Sequence, residues 1–145
     1  MKFEFSLESV LKVRKHEEDV QKQKLAEELS RKRALTRQIA ELKKKIKDLI
    51  ENADRGNFEN LHNLRLHKSY VQEFHKRMQQ LNQSLEVIDN SVKTERDKLA
   101  LVHKKRNVIE KVKEEEYELY MEKVSKLQQK VMDEIASQTF SRSKI

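Results

Sequence analysis

The chain has 145 residues, of which 39% are charged, 36% hydrophobic and 6% aromatic, and its formal net charge is +7. This composition is unfavourable for a compact globular core and suits long helices that each bury one narrow apolar stripe. The absence of cysteine excludes a disulfide framework, a thiol nucleophile and a cysteine-ligated metal site. Because neither a signal peptide nor an apolar run of membrane-spanning length is evident, we expect a soluble cytoplasmic protein.

The first predicted helix covers about residues 4–53 and carries apolar residues in alternating steps of four and three. This is the spacing of a coiled-coil heptad, in which one apolar stripe faces a partner helix. The apolar members are Leu7, Leu11, Leu25, Leu35, Ile39, Leu42, Ile46, Leu49 and Ala53. Five polar residues interrupt the stripe: Arg14, Glu18, Gln21, Glu28 and Lys32. Apolar neighbours such as Val13 and Val20 would allow the register to slip there.

A turn is predicted at about residues 54–58. This stretch contains Gly56, the only glycine in a chain that has no proline. Glycine and the nearby Asn52 and Asn57 tolerate the left-handed backbone that ends a helix. We therefore predict that the chain reverses here. The alternative is one continuous helix that dimerises, since glycine inside a helix costs only about 1 kcal/mol.

The second predicted helix covers about residues 59–138 and is followed by a frayed tail at 139–145. Its apolar stripe contains Val71, Phe74, Met78, Leu81, Leu85, Ile88, Val92, Leu99, Val102 and Ile109. Glu95 and Arg106 interrupt the stripe. After Ile109 the spacing changes to two consecutive fours, which is typical of a stutter in a coiled coil. It then resumes through Tyr120, Val124, Leu127 and Val131.

These elements predict an all-α fold, an antiparallel two-helix coiled-coil hairpin with a longer C-terminal helix, as a single domain over 1–145. A reversal near Gly56 sets residue 7 opposite about residue 105, so the second helix projects roughly 50 Å beyond its partner. Because the apolar stripe continues along this projection, we expect an external partner to cover it. Self-association of the projection is the alternative.

Candidate catalytic chemistry is sparse. The sequence has no glycine-rich phosphate loop and no G-x-S-x-G motif. The five histidines lack the i, i+4 spacing of helical metal ligands. We therefore expect no catalytic, metal or cofactor-binding residues and no enzyme activity.

Positive charge is concentrated within residues 31–47, where Glu41 is the only acidic residue. The basic residues there are Arg31, Lys32, Arg33, Arg37, Lys43, Lys44, Lys45 and Lys47. The region has no aromatic residue on which bases could stack, so an acidic protein partner is expected ahead of nucleic acid or membrane. A basic coiled-coil scaffold that binds anionic lipid or nucleic acid remains the alternative function.

Both ends of the chain carry a distinctive motif. The opening MKFEFSLESVLKVRKHEEDVQKQKLAEE contains Phe3, Phe5, Leu7, Val10, Leu11, Arg14 and Glu17. The closing RNVIEKVKEEEYELYMEKVSKLQQKVMDEIASQTFSR contains Asp133, Glu134, Ala136 and Phe140. At these positions the two motifs resemble the N-terminus and the C-terminal signature of the FliJ family of flagellar export proteins. Val112 departs from the leucine that the family often has in its Leu-Lys-Glu stretch.

The resemblance implies a component of the flagellar type III secretion apparatus that is cytoplasmic and peripheral at the inner face of the cell membrane. Members resemble the stalk of rotary ATPases. By resemblance, the expected partners are the hexameric flagellar export ATPase, whose assembly the protein would promote, the export-gate protein FlhA and the flagellar export chaperones. Contact with the membrane would run through these partners, and no nucleic acid is expected.

Two sets of contact residues follow. The resemblance places an export-gate contact early in the second helix, at Tyr70, Phe74, Arg77 and Leu81, although Phe74 and Leu81 also lie on the apolar stripe. We expect the ATPase ring to meet basic residues near the end of the paired helices and the stripe of the projection. These residues are Arg14, Lys15, Lys104, Lys105, Arg106, Tyr117, Tyr120 and Leu127.

Overall fold

A computed structural model describes residues 2–54 and 61–143 and contains two long helices. Helix α1 is Glu8–Asp54, with 47 residues, and helix α2 is Leu61–Ser143, with 83 residues. Both are rich in leucine, lysine, glutamate, glutamine and arginine, which have high helix propensity. The described residues contain no strand, and the two helices pack against each other as an all-α antiparallel hairpin. This confirms the predicted fold class.

The helix bounds differ slightly from those predicted. Helix α1 begins at Glu8, because residues 2–7 form a non-helical segment. Helix α2 continues to Ser143, past the predicted end near residue 138. The turn predicted around Gly56 lies outside the described residues.

Packing divides the chain into two units. The central unit is Val20–Ala100, and the terminal unit combines Met1–Asp19 with Leu101–Ile145. Within each unit a stretch of α1 lies antiparallel to a stretch of α2. In the central unit Gln21 contacts Glu95 and Lys32 contacts Asp89. In the terminal unit Glu18 contacts Arg106 and Glu8 contacts Lys113.

The central unit has an apolar core on the predicted stripes. Its buried members are Leu35, Ile39, Leu42, Ile46 and Leu81, with Phe74, Met78, Leu85 and Ile88 packed against them. In the terminal unit Leu11 is the most deeply buried side chain, 1% exposed. The heptad spacing therefore identified most of the residues that bury apolar area, although Leu7 on the predicted stripe is exposed and the buried Phe5 lies off it.

The interrupted part of the first stripe keeps its register. Glu18 and Gln21 are 4% and 7% exposed, whereas Val13 and Val20 beside them are 55% and 38% exposed. The predicted slip toward the valines is therefore wrong. The heptad on either side fixes which face of α1 meets α2, and the polar residues stay on that face because each finds a partner there.

The pairing between the helices is displaced from the predicted one. The chain was expected to set residue 7 opposite about residue 105, but Ser6 Oγ donates to Glu116 Oε1 over 2.7 Å. The predicted pairing was centred on Gly56, whereas helix α2 begins at Leu61. Every partner on α2 therefore lies closer to the C-terminus than expected.

Candidate interaction surfaces

A buried ion pair lies between the helices in the terminal unit. The carboxylate of Glu18, on the face of α1 that packs against α2, is bound by Nε of Arg106. The Glu18 side chain is only 5% exposed, while that of Arg106 is 18% exposed and reaches toward solvent. Burying a carboxylate costs free energy unless an oppositely charged group binds it. The contact with Arg106 therefore allows Glu18 to be buried on the apolar stripe.

Neighbouring residues on α2 complete this polar layer. Arg106 Nη1 lies 2.7 Å from Glu110 Oε1, so the guanidinium bridges two carboxylates. The hydrogen bonds to Glu18 and then to Glu110 raise the pKa of Arg106 above its ordinary value. His103 Nδ1 lies 3.4 Å from Glu18 Oε1 and 3.2 Å from Arg106 Nη2. The tautomer of His103 decides which of these contacts is a hydrogen bond.

A second polar layer lies in the central unit. Nε2 of the buried Gln21 donates to the backbone oxygen of Glu95 over 3.2 Å and also to its carboxylate. The hydrogen bond from Gln21 is the main reason that the pKa of Glu95 is lowered, and Lys98 lowers it further against the opposing effect of burial. Both residues that interrupt the second stripe, Glu95 and Arg106, thus meet residues that interrupt the first.

The predicted basic contact residues have different surroundings. Lys15, Lys104 and Lys105 are exposed. Arg14 is half-buried and its Nη1 lies 3.2 Å from Glu17 Oε2 on the same helix. Arg106 is bound within the chain to Glu18 and Glu110. Of this set, Lys15, Lys104 and Lys105 present the most accessible charge.

The predicted aromatic contact residues meet the N-terminal segment. The ring of Phe3 packs edge-on against Tyr117, with centroids 5.2 Å apart, and lies 5.4 Å from the ring of Tyr120. Phe5 is buried, and Lys113 Nζ lies 5.8 Å from its ring centroid. The predicted bare projection beginning near residue 105 is therefore wrong, because the N-terminal segment covers α2 as far as Tyr120.

The remaining C-terminal stretch, residues 121–143 of α2, is roughly 35 Å long at about 1.5 Å per residue. Most of its large apolar side chains are exposed, including Leu127 at 49%, Val131 at 52% and Ile135 at 54%, and Val124 is half-buried. Tyr120, Val124, Leu127, Gln128, Val131 and Met132 line a shallow groove along it. We call residues 121–135 the exposed apolar stripe.

The predicted export-gate residues divide into two pairs. Leu81 is buried in the core of the central unit and Phe74 packs against that core. Tyr70 is 48% exposed, and Arg77 is exposed with Nη1 3.5 Å from Gln80 Oε1. Only Tyr70 and Arg77 can therefore present their side chains to a partner while the core stays intact.

Neither a metal site nor a membrane span is found in the part of the chain that the structure describes. No group of three or more histidine or acidic side chains there could hold a metal ion. No helix within residues 2–54 and 61–143 is both long and apolar enough to cross a membrane.

Sequence reasoning missed the pairing of the two polar layers. It identified Glu18, Gln21, Glu95 and Arg106 separately as interruptions of the two stripes. A test of which relative shift brings opposite charges together would have paired Glu18 with Arg106. That pair would also have corrected the register.

The fold and these surfaces define a two-helix coiled coil with exposed contact surfaces. Residues 2–144 match the sequence model of the family described as Flagellar FliJ protein. The chain belongs to the FliJ family, and this membership assigns it to flagellar protein export. No curated protein and no solved structure gives a significant match.

Proposed function

We propose that the protein is a stalk-like coupling component of flagellar type III export that binds the hexameric export ATPase and promotes its assembly. Through FlhA and the export chaperones it links the ATPase to the export gate. It acts in the cytoplasm, at the inner face of the cell membrane, and has no active site of its own. Family membership supports the general role.

The observation that carries this proposal is the exposed apolar stripe. Val124, Leu127 and Val131 recur at helical spacing on a stretch that α1 does not cover. An isolated helix of this length gains little stability from its own hydrogen bonds, and most helical stability comes from packing. A partner that encloses the stretch would bury the stripe, as the lumen of a protein ring does.

The test measures ring assembly and ATP hydrolysis of the hexameric flagellar export ATPase with the purified chain added. We expect the native chain to promote both, and Leu127→Glu/Val131→Glu to abolish the effect because two carboxylates would be buried at the contact. Val87→Glu is the matched control, since Val87 is 68% exposed and lies in the central unit. Equal activity of all three proteins would contradict the proposal.

The basic part of the contact requires a separate test. Lys104→Glu/Lys105→Glu should weaken ATPase binding and reduce its salt dependence, because two exposed cations at the proposed contact are reversed. Lys43→Glu/Lys45→Glu reverses two exposed lysines in the central unit and should leave binding unchanged. Arg106 is unsuitable for this purpose, because its substitution also breaks the pair with Glu18.

The gate contact is tested with Tyr70→Ala/Arg77→Ala. Both side chains are exposed, so the variant should keep full helicity and lose binding to FlhA. Lys76→Ala/Gln79→Ala alters two exposed neighbours and is the control. Undiminished FlhA binding by the first variant would reject these two residues as the contact.

The exposed cations of α1 favour a second candidate function. In this alternative the protein is a basic scaffold that binds anionic lipid or nucleic acid. Steeply salt-dependent binding to DNA or anionic vesicles, together with no effect on the ATPase, would favour it.

A further inference from the structure

A row of unpaired cations lies on the outer face of α1 in the central unit. Arg33, Arg37, Lys44 and Lys47 recur at helical spacing on the side away from the core, and all four are exposed. Within residues 2–54 and 61–143 none of the four forms an ion pair, whereas Lys32 beside them lies 2.8 Å from Asp89. We call these four residues the basic stripe.

A row of carboxylates without an ion pair lies on α2 in the terminal unit. Glu114, Glu115, Glu118 and Glu122 are exposed, and i, i+4 spacing places them along one side of the helix. None of them forms an ion pair in the described part of the chain, although the adjacent Glu116 accepts hydrogen bonds from Ser6. We call these four residues the acidic stripe.

Each stripe borders a shallow groove that another helix could enter. Leu29, Thr36 and Ala40 line the groove beside the basic stripe. Tyr117, Met121 and Ser125 line the groove beside the acidic stripe. The small side chains in both grooves permit close approach of two helices, and the larger ones supply apolar area that a contact would bury.

We propose that the basic stripe of one chain docks on the acidic stripe of a second copy. The charges are opposite in sign, each row follows one side of its helix, and neither row has an ion-pair partner in the described part of its own chain. Contact between copies would neutralise both rows and cover both grooves. Exposed ion pairs are individually weak, so the association is weak and decreases with salt. The contact includes Met121 and Glu122 at the start of the exposed apolar stripe but neither Leu127 nor Val131, and it does not depend on the role in export.

The first measurement is sedimentation equilibrium of the purified full chain at two salt concentrations. We expect reversible self-association at about 0.05 M salt that becomes roughly tenfold weaker at about 0.5 M, where screening acts over a few Å. Association that stays equally strong at high salt would overturn the proposal, because apolar burial would then hold the copies together.

The second measurement uses charge reversal. Arg33→Glu/Arg37→Glu/Lys44→Glu and Glu114→Lys/Glu118→Lys/Glu122→Lys should each lose self-association, since each would set like charges opposite one another. An equimolar mixture of a reversed-basic chain with a native chain should associate less than native chain alone, and the chain carrying all six reversals should recover self-association. Lys68→Glu/Lys76→Glu/Lys93→Glu changes the net charge by as much as the basic reversal does, at exposed positions away from the stripes, and should associate as the native chain does. Circular dichroism checks that every variant remains helical.

Three outcomes would overturn the proposal. The first is a chain that remains monomeric at every salt concentration. The second is self-association that survives both reversals and is lost in Leu127→Glu/Val131→Glu, which would assign it to the exposed apolar stripe. The third is failure of the six reversals to recover association while the chain remains fully helical.

Discussion

The two units pair the same two helices with different interiors. In the central unit, consecutive turns of α1 contribute Leu35, Ile39, Leu42 and Ile46 to one apolar core. In the terminal unit, the buried Leu11 is accompanied by the charged layer of Glu18 and Arg106 and by the rings of the N-terminal segment. Apolar layers stabilise the folded chain with little preference for one register of the two helices. A buried polar pair is satisfied in few registers other than the native one.

This difference predicts a division of roles. The central unit should supply most of the free energy of unfolding, and the polar layers should fix which residues of α1 and α2 face each other. The terminal unit also contains the exposed apolar stripe. Substitutions that affect stability and those that affect pairing should therefore be separable.

The largest effect is expected from Leu81→Ala in the central core. Leu81 is 6% exposed among four buried residues of α1, and truncation leaves a cavity that two helices can close only in part. We expect a loss of about 3 kcal/mol in the free energy of unfolding, measured by urea denaturation. Val87→Ala, at a 68% exposed position, is the control and should change it by less than about 0.5 kcal/mol. Similar small losses from both would mean that the central core is not the main source of stability.

The next largest effect concerns the ion pair and distinguishes its two members. Arg106→Leu leaves the buried carboxylate of Glu18 without a guanidinium, so it should clearly destabilise the chain. Glu18→Leu should cost less, since Arg106 keeps Glu110 as a partner and its side chain can turn to solvent. In the double variant Glu18→Leu/Arg106→Leu two apolar residues meet, and stability should return to the native level or above.

The register is measured in the same variants as the distance between two spin labels. The labels are attached to cysteines that replace Lys15 and Lys105. If the polar layer fixes the register, the double variant should give a broader distance distribution than the native chain despite its restored stability. Distributions of equal width would show that the apolar residues are sufficient to fix the register.

Sequence periodicity was sufficient for the apolar core and insufficient for the register. Heptad spacing placed Leu35, Ile39, Leu42 and Ile46 on one face, and all four are buried. The register depends on where α2 begins and on which polar residues meet, and neither is contained in the spacing of one helix. The single glycine indicated a reversal, but the pairing centred on it differs from the observed one, in which Ser6 meets Glu116.

The surfaces were predictable to different degrees. The exposed apolar stripe followed from the continuing heptad, although its start was placed too early because Phe3 was not expected to reach Tyr117 and Tyr120. Exposure of Tyr70 and burial of Leu81 followed from their places relative to the stripe. The ion pair between Arg106 and Glu18 could not be predicted from the sequence of either helix alone.

A smaller effect is expected from the N-terminal segment of the terminal unit. Phe3→Ala removes two aromatic contacts, so we expect a loss of about 1 kcal/mol and faster proteolysis near the N-terminus. Lys2→Ala, at an exposed neighbouring position, is the control. Cleavage at the native rate in Phe3→Ala would show that these rings do not hold the segment on α2.

The smallest effect is a difference in pH dependence at the second polar layer. The pKa of Glu95 is lowered in the folded chain, chiefly by the hydrogen bond from Gln21. A lowered pKa contributes stability above the unfolded value, and this contribution is lost as the pH falls through the folded value. Gln21→Leu removes the main cause, so the variant should lose less stability than the native chain on acidification from about pH 7 to about pH 3.

The measurement is the free energy of unfolding at several pH values across that window, for the native chain and for Gln21→Leu. Gln23→Leu makes the same substitution at an exposed position two residues away and should keep the native pH dependence. Because leucine at position 21 also adds apolar area on the stripe, the two variants are compared by the slope of stability against pH and not by stability at one pH. Parallel slopes for all three chains would show that the hydrogen bond from Gln21 does not control the ionisation of Glu95.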